Sequence, residues 1–120
     1  MRIGTLARKT GLSIHTLRFY ETIGVIDGRL VSRSSNNYRH YDDKAVEHLR
    51  LVRFGRDAGF TLSEITRFIE DIAHAKRRRH EVLDAKLKEL QARKRSIDAI
   101  CGLLRAKIAR LKSADRAGAR

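Results

Sequence analysis

Apolar residues recur along this chain in short bursts at helical spacing, separated by glycine and polar clusters. Thr5 to Lys9 reads as a first short helix, with Leu6 and Ala7 as its apolar members and Gly11 just beyond its end. Ser13 reads as an N-cap whose hydroxyl accepts from free N–H groups of the next turn. The helix it opens, Ile14 to Ile23, carries Ile14, Leu17 and Ile23 on helical spacing, and Gly24 sits where a left-handed C-cap is wanted. A short helix, a glycine-containing turn and a second helix form a helix-turn-helix signature. Residues 25–41 change character: Val25-Ile26 and Leu30-Val31 precede the polar run Ser32 to Asn37, and Tyr38-Arg39-His40-Tyr41 follows. We read a small β-hairpin, a wing, with Asn36-Asn37 supplying the positive-φ positions of its turn. Strand alternation puts Tyr38 and His40 on one face and Arg39 and Tyr41 on the other.

Two further helices follow. Asp42 or Asp43 caps the third, whose apolar stripe is Val46, Leu49 and Val52 with Leu51 and Phe54 flanking, and Gly59 ends it. Thr61-Leu62-Ser63-Glu64 matches a capping box. The fourth helix is predicted from Leu62 to Ala73, with Leu62, Ile65, Phe68, Ile69 and Ile72 inward.

The last segment has a different period. Leu83, Leu87, Leu90, Lys94, Ile97, Cys101, Leu104, Ile108 and Leu111 alternate by four and three residues, a heptad seam among charged neighbours. One helix over 78–112 would extend roughly 50 Å at 1.5 Å per residue. A narrow stripe of that length needs a second helix, and a second copy of the chain supplies it. The expected organisation is therefore a winged helix-turn-helix domain over 1–72, a linker over 73–77, a dimerisation helix over 78–112 and a flexible tail over 113–120. The expected fold class is mostly α, a winged helix-turn-helix followed by a long coiled-coil helix.

Charge narrows the partner. Of 120 residues, 27 are Lys or Arg and 14 are Asp or Glu, a formal net charge of +13 that points to a polyanion. No apolar run approaches the roughly 20 residues of a membrane span, and the N-terminus lacks the pattern of a signal peptide. A single cysteine forms no internal disulfide, which reads as a reducing, cytoplasmic setting. It also excludes a zinc ribbon or a cysteine-ligated iron–sulfur cluster within one chain. His74 and His80, six apart, do not share a helix face, so we expect no metal site and no cofactor. No nucleophile–base–orienter arrangement or glycine-rich phosphate loop is present, so no catalytic residue is expected.

On the second helix, Arg18 and the Tyr20 hydroxyl suit phosphate oxygens. Ser13, His15 and Thr16 would face base edges if this helix enters the major groove N-terminus first. Phe19 reads equally as core or as interface.

These residues carry a resemblance. Ile3-Gly4-Thr5-Leu6-Ala7, Gly11-Leu12-Ser13, Thr16 to Glu21, Ile23-Gly24, Asn37 to Tyr41, and Ala58 to Leu62 with Glu64-Ile65 are similar in order and spacing to MerR-family transcriptional regulators. The resemblance implies a winged helix-turn-helix that binds double-stranded promoter DNA as an antiparallel coiled-coil homodimer. It implies a long spacer between polymerase elements, distorted so that RNA polymerase is controlled indirectly through the DNA. Position by position it implies DNA contacts from Ser13, His15, Thr16, Arg18 and Tyr20, and from the wing residues Arg33, Tyr38 and Arg39. The dimer seam would be Leu83, Leu87, Leu90, Ile97, Leu104 and Ile108.

The family's metal sensors carry cysteines near the start of the long helix and in a loop after it; here Ala73 to His80 and Ser113 to Gly118 have none. Cys101 is either a small apolar seam residue or a redox or electrophile sensor, with Arg105 one turn on and Lys94 or Lys107 near it. Lys94 is either a snorkelling side chain or a register-setting polar break. Two other functions fit the pattern: a DNA-architectural protein without an effector, and a coiled-coil adaptor whose first domain binds a protein.

Overall fold

The computed structural model describes residues 1–34, 36 and 38–118. The chain divides into two units, Met1–His74 and Ala75–Arg120, each described by itself.

In the first unit, α1 (Ile3–Thr10) begins two residues earlier than its apolar pattern suggested. Gly4 does not delay it, because the amides of Thr5 and Leu6 both donate to the Arg2 carbonyl at 3.1 Å and Ile3 packs on the core. Gly11 ends it at φ +73°, and its amide donates to the Ala7 carbonyl at 2.9 Å. An alanine there would hold a left-handed φ, and its Cβ would lie 3.0 Å from Arg53 Nη1. That same nitrogen donates to the Thr10 carbonyl at 3.1 Å, so a cation from α3 (Lys44–Asp57) covers the carbonyl end of α1. Gly11→Ala is expected to destabilise the unit by about 1–2 kcal/mol, read as a lower urea midpoint with an unchanged slope. An unaltered midpoint would remove the turn from this role.

α2 (Ile14–Thr22) opens on Ser13, whose Oγ accepts from the Thr16 amide at 3.0 Å. It stops at Thr22; Gly24, at φ +85°, lets the chain reverse so that the Val25 and Ile26 amides both donate to the Tyr20 carbonyl. Val25 and Ile26 are buried in this reversal and join no strand. The wing is correspondingly short, β1 (Val31–Arg33) antiparallel to β2 (Arg39–Tyr41), with Val31 opposite Tyr41 and Arg33 opposite Arg39. The expected turn at Asn36-Asn37 falls on the hairpin tip, where Ser35 and Asn37 lie outside the described residues.

Asp43 stands at the N-cap position of α3 without a side-chain cap bond, and it is Asp42 whose Oδ1 accepts from the Lys44 amide at 2.8 Å. The buried stripe of α3 is Ala45, Leu49 and Val52, with Val46 half-buried beside it. Leu51 and Phe54 are 68% and 60% exposed. The capping box at Thr61 forms in both directions, the Thr61 amide donating to Glu64 Oε1 and the Glu64 amide to Thr61 Oγ1, each at 3.1 Å. α4 (Leu62–Ala75) lays Leu62, Ile65 and Ile69 against the core, while Phe68 and Ile72 are half-buried. The core itself is small and joins all these elements through Leu6, Leu17, Tyr20, Val25, Ile26, Tyr41 and the α3 stripe.

In the second unit, Lys76, at φ +51°, opens a 3₁₀ turn over Lys76–Arg78. The segment expected as a linker over 73–77 is thus the end of α4 and the start of this turn. α5 (Arg79–Gly118) is a single helix of 40 residues, about 60 Å long. It continues past Lys112, so the expected tail is helical through Gly118. Ala114 and Ala117 favour a helix and no proline interrupts it. Ala119 and Arg120 lie outside the described residues. Within the single chain the seam is uncovered: Leu83, Leu87, Leu90, Ile97, Leu104, Ile108 and Leu111 are all exposed, and Cys101 is half-buried among them. Among the described residues no helix is long and apolar enough to cross a membrane.

Candidate nucleic-acid interface

The face of α2 that the core leaves free follows from its nine-residue geometry. Leu17 and Tyr20 lie three apart, on the core side, with 0% and 8% exposure. Arg18 and Phe19 fall between them in sequence and rotate outward, as does His15. This corrects one expectation and decides another: Tyr20, expected to turn its hydroxyl outward, has its ring in the core at 8% exposure, and Phe19, left open between core and interface, is 47% exposed. The two rings keep a tilted contact, with centroids 6.3 Å apart. Ser13 and Thr16 stand at the N-terminus of α2 with their hydroxyls 2.9 Å apart, so part of their hydrogen-bonding capacity is used on each other.

The wing is fastened beside this face through Glu21. Its Oε2 pairs with Arg39 Nη1 at 2.5 Å and accepts from the Tyr41 hydroxyl at 3.2 Å. The strand alternation read from sequence therefore holds for Arg39 and Tyr41, which share a face toward α2. Burial, and then the Glu21 charge, push the Tyr41 hydroxyl above its ordinary pKa, which keeps it a neutral donor to Glu21. Tyr41 also exchanges backbone hydrogen bonds with Met1, at 2.6 and 2.8 Å, so the first residue lies along β2 like an added strand position. Arg2, next along, places its guanidinium 4.3 Å from the centre of the Tyr38 ring. Behind the wing, Asp27 pairs with Arg29, whose hydrogen bond holds the Asp27 carboxyl below its usual range.

Between α2 and the wing lies a groove of about 890 Å³, with Arg2, Arg18, Glu21, Tyr38 and Arg39 in its walls. Arg39 is already neutralised by Glu21, whereas Arg18 has no ion pair among the described residues. The groove is thus cationic chiefly through Arg2 and Arg18. His15, Arg33 and Tyr38 are exposed on the same two elements. Glu21, Arg2 and the Met1–Tyr41 pairing were not singled out from sequence; Glu21 stood inside the motif that carried the resemblance, without a role. No group of three or more His, Cys, Asp or Glu residues able to hold a metal ion occurs among the described residues.

A paired short-helix motif, a two-stranded wing and a long, apolar-striped terminal helix define a winged helix-turn-helix regulator class. The description "MerR HTH family regulatory protein" matches residues 1–72, and "MerR, DNA binding" matches residues 46–106. The chain belongs to the MerR family. It is 34% identical over 100 residues to heavy metal-dependent transcription regulator 2 of Rhizobium meliloti, covering 83% of this chain and 67% of that protein. It is 44% identical over 64 residues to the regulator CueR of Salmonella typhi, covering 53% and 45%. The chain spans about half the length of several curated relatives it matches. Among solved structures, it is similar to HiNmlR, described as a MerR family regulator lacking the sensor domain, bound to promoter DNA. That likeness has a TM-score of 0.72 and 26% identity, and covers 98% of this chain and 94% of that one.

Proposed function

We propose that the protein is a dimeric transcriptional regulator that grips promoter DNA and controls transcription by distorting it. The observation that carries this reading is the outward face of α2, where His15, Arg18 and Phe19 stand beside a cationic groove closed by the wing. The start of α2 would read base edges through His15 with Ser13 and Thr16. Arg18, Arg2, Arg33 and Tyr38 would position the module on phosphates, and Arg39 would do so only while shared with Glu21. The uncovered seam of α5 supports pairing of two copies, and the DNA-bound neighbour and family membership support a promoter as the target. RNA polymerase then responds to the shape of the spacer rather than to a catalytic act of this chain. With DNA as partner, the protein works in the cytoplasm.

Arg18→Ala is expected to weaken binding to every duplex alike and to flatten the slope of log affinity against log salt by about one. Fluorescence anisotropy across a salt series reads both quantities, and unchanged affinity would remove Arg18 from phosphate binding. Transcription in vitro from a promoter with a lengthened spacer separates a regulator from an architectural protein, which would bend the DNA without changing transcript yield.

A further inference from the structure

We propose that α5 pairs with α5 of a second copy in one antiparallel register, set by Lys94 reaching Asp98 of the partner, with the dyad between Arg95 and Ser96. The inference rests on the dimer reading above and adds which residues meet.

Seam residues of two kinds alternate along α5. Leu87, Lys94, Cys101 and Ile108 form one row, and Leu83, Leu90, Ile97, Leu104 and Leu111 form the other. In an antiparallel pair each row faces the other row of the partner. With the dyad between Arg95 and Ser96, Leu83 meets the partner's Ile108, Leu87 the partner's Leu104, and Leu90 the partner's Cys101. Lys94 meets the partner's Ile97. Leu111 meets the partner's neutral-or-cationic His80 rather than a carboxylate. A slip of one heptad in one direction puts Leu83 opposite the partner's Asp115. A slip in the other carries Ile108 past the start of the partner's α5 at Arg79.

The seam lysine decides further. Lys94 and the residue four positions on share one flank of the helix, so Lys94 leans toward the partner residue on that flank at nearly the same height. In the proposed register that residue is Asp98. In the first slipped register it is Arg105, and in the second it is Gln91. The proposed register alone gives the lysine an opposite charge, twice per dimer. Neither Lys94 nor Asp98 takes part in an ion pair within the chain among the described residues, so both are available. A parallel pair would instead put Lys94 directly against Lys94, and would align the two helix dipoles head to head.

The register has a geometric consequence. The two α5 starts lie roughly 50 Å apart along the pair at 1.5 Å per residue, and a one-heptad slip changes that by about 10 Å. That is about three base-pair rises along a duplex.

The lone native thiol makes the register measurable on the full chain. The unmodified protein, Leu90→Cys, and Leu90→Cys combined with Cys101→Ser are each prepared, checked for dimer mass under reducing conditions, then oxidised or treated with a short bis-maleimide. The expected result is a shift to two-chain mass on non-reducing gels for Leu90→Cys with Cys101 retained and for neither other form, because that position faces the partner's Cys101, whereas the two copies of position 90 and the two copies of Cys101 each lie about 16 Å apart along the pair. Linkage of the double variant would overturn the register in favour of the second slip while leaving the dimer standing. Linkage of the unmodified protein through Cys101 would overturn it in favour of the first slip or of parallel pairing. Absence of linkage in all variants that sediment as dimers would also overturn it. Single-chain mass before oxidation would instead defeat the dimer reading on which it rests.

Discussion

Leu90→Lys combined with Ile97→Lys turns the protein into a single-chain species that no longer holds duplex DNA tightly. Both side chains are exposed in the single chain and belong to no core cluster of the first unit, so the substitutions leave that core untouched. In the paired state they would be covered, each contributing about 1.5–3 kcal/mol on burial. Two copies lose four such contacts, against about 8 kcal/mol that holds a micromolar complex together. The lysines also place new charge in the seam next to Lys94. Once the two DNA-binding units are no longer joined, the avidity of a linked pair, about 10²–10⁴-fold, goes with them. Sedimentation equilibrium gives the mass, and anisotropy with excess non-specific competitor gives the affinity. The competitor matters because the added lysines raise non-specific attraction to phosphate. A variant that stays dimeric would place the interface elsewhere than the α5 seam.

Leu17→Ala carries the second large effect, and it acts on the first unit alone. Leu17 is fully buried and lies three residues before Tyr20 on the core side of α2. Truncating a buried leucine costs about 2–5 kcal/mol, because the transfer energy is lost and the cavity does not close completely. A domain of this size is held by only about 5–15 kcal/mol in total, with small ones near the lower bound. The substitution is therefore expected to bring the urea midpoint of the first unit close to zero and to lose α2-dependent binding with it. A midpoint that hardly moves would mean that α2 is held mainly by Glu21 and the wing rather than by its apolar face.

The helices were legible because each carries its own punctuation. Ser13, Gly11, Gly24 and the Thr61–Glu64 box mark boundaries by local hydrogen bonding, and the structure places them at those boundaries. The long α5 helix was legible because nine positions repeat at helical spacing without a break. What failed were assignments that depended on tertiary packing. Tyr20 looked amphipathic, and its hydroxyl suggested the surface; its position three residues after Leu17 puts the ring inside. In α3, Ala45 was passed over for Val46 because a small residue carries little pattern weight, although it lies at 0% exposure. The free face of α2 was partly legible. The outward position of Arg18 and His15 followed from helical phase, whereas the attachment of Arg39 to Glu21 joins residues 18 apart and leaves no local signal.

Two chains joined through α5 are expected to hold one duplex. The mass of the complex in solution, by sedimentation or light scattering with a labelled promoter-length duplex, reads this. Two chains on each duplex are expected, with the same stoichiometry as salt rises and the affinity falls. A complex of one chain per duplex, or equal retention on heparin and on duplex at every salt concentration, would contradict it.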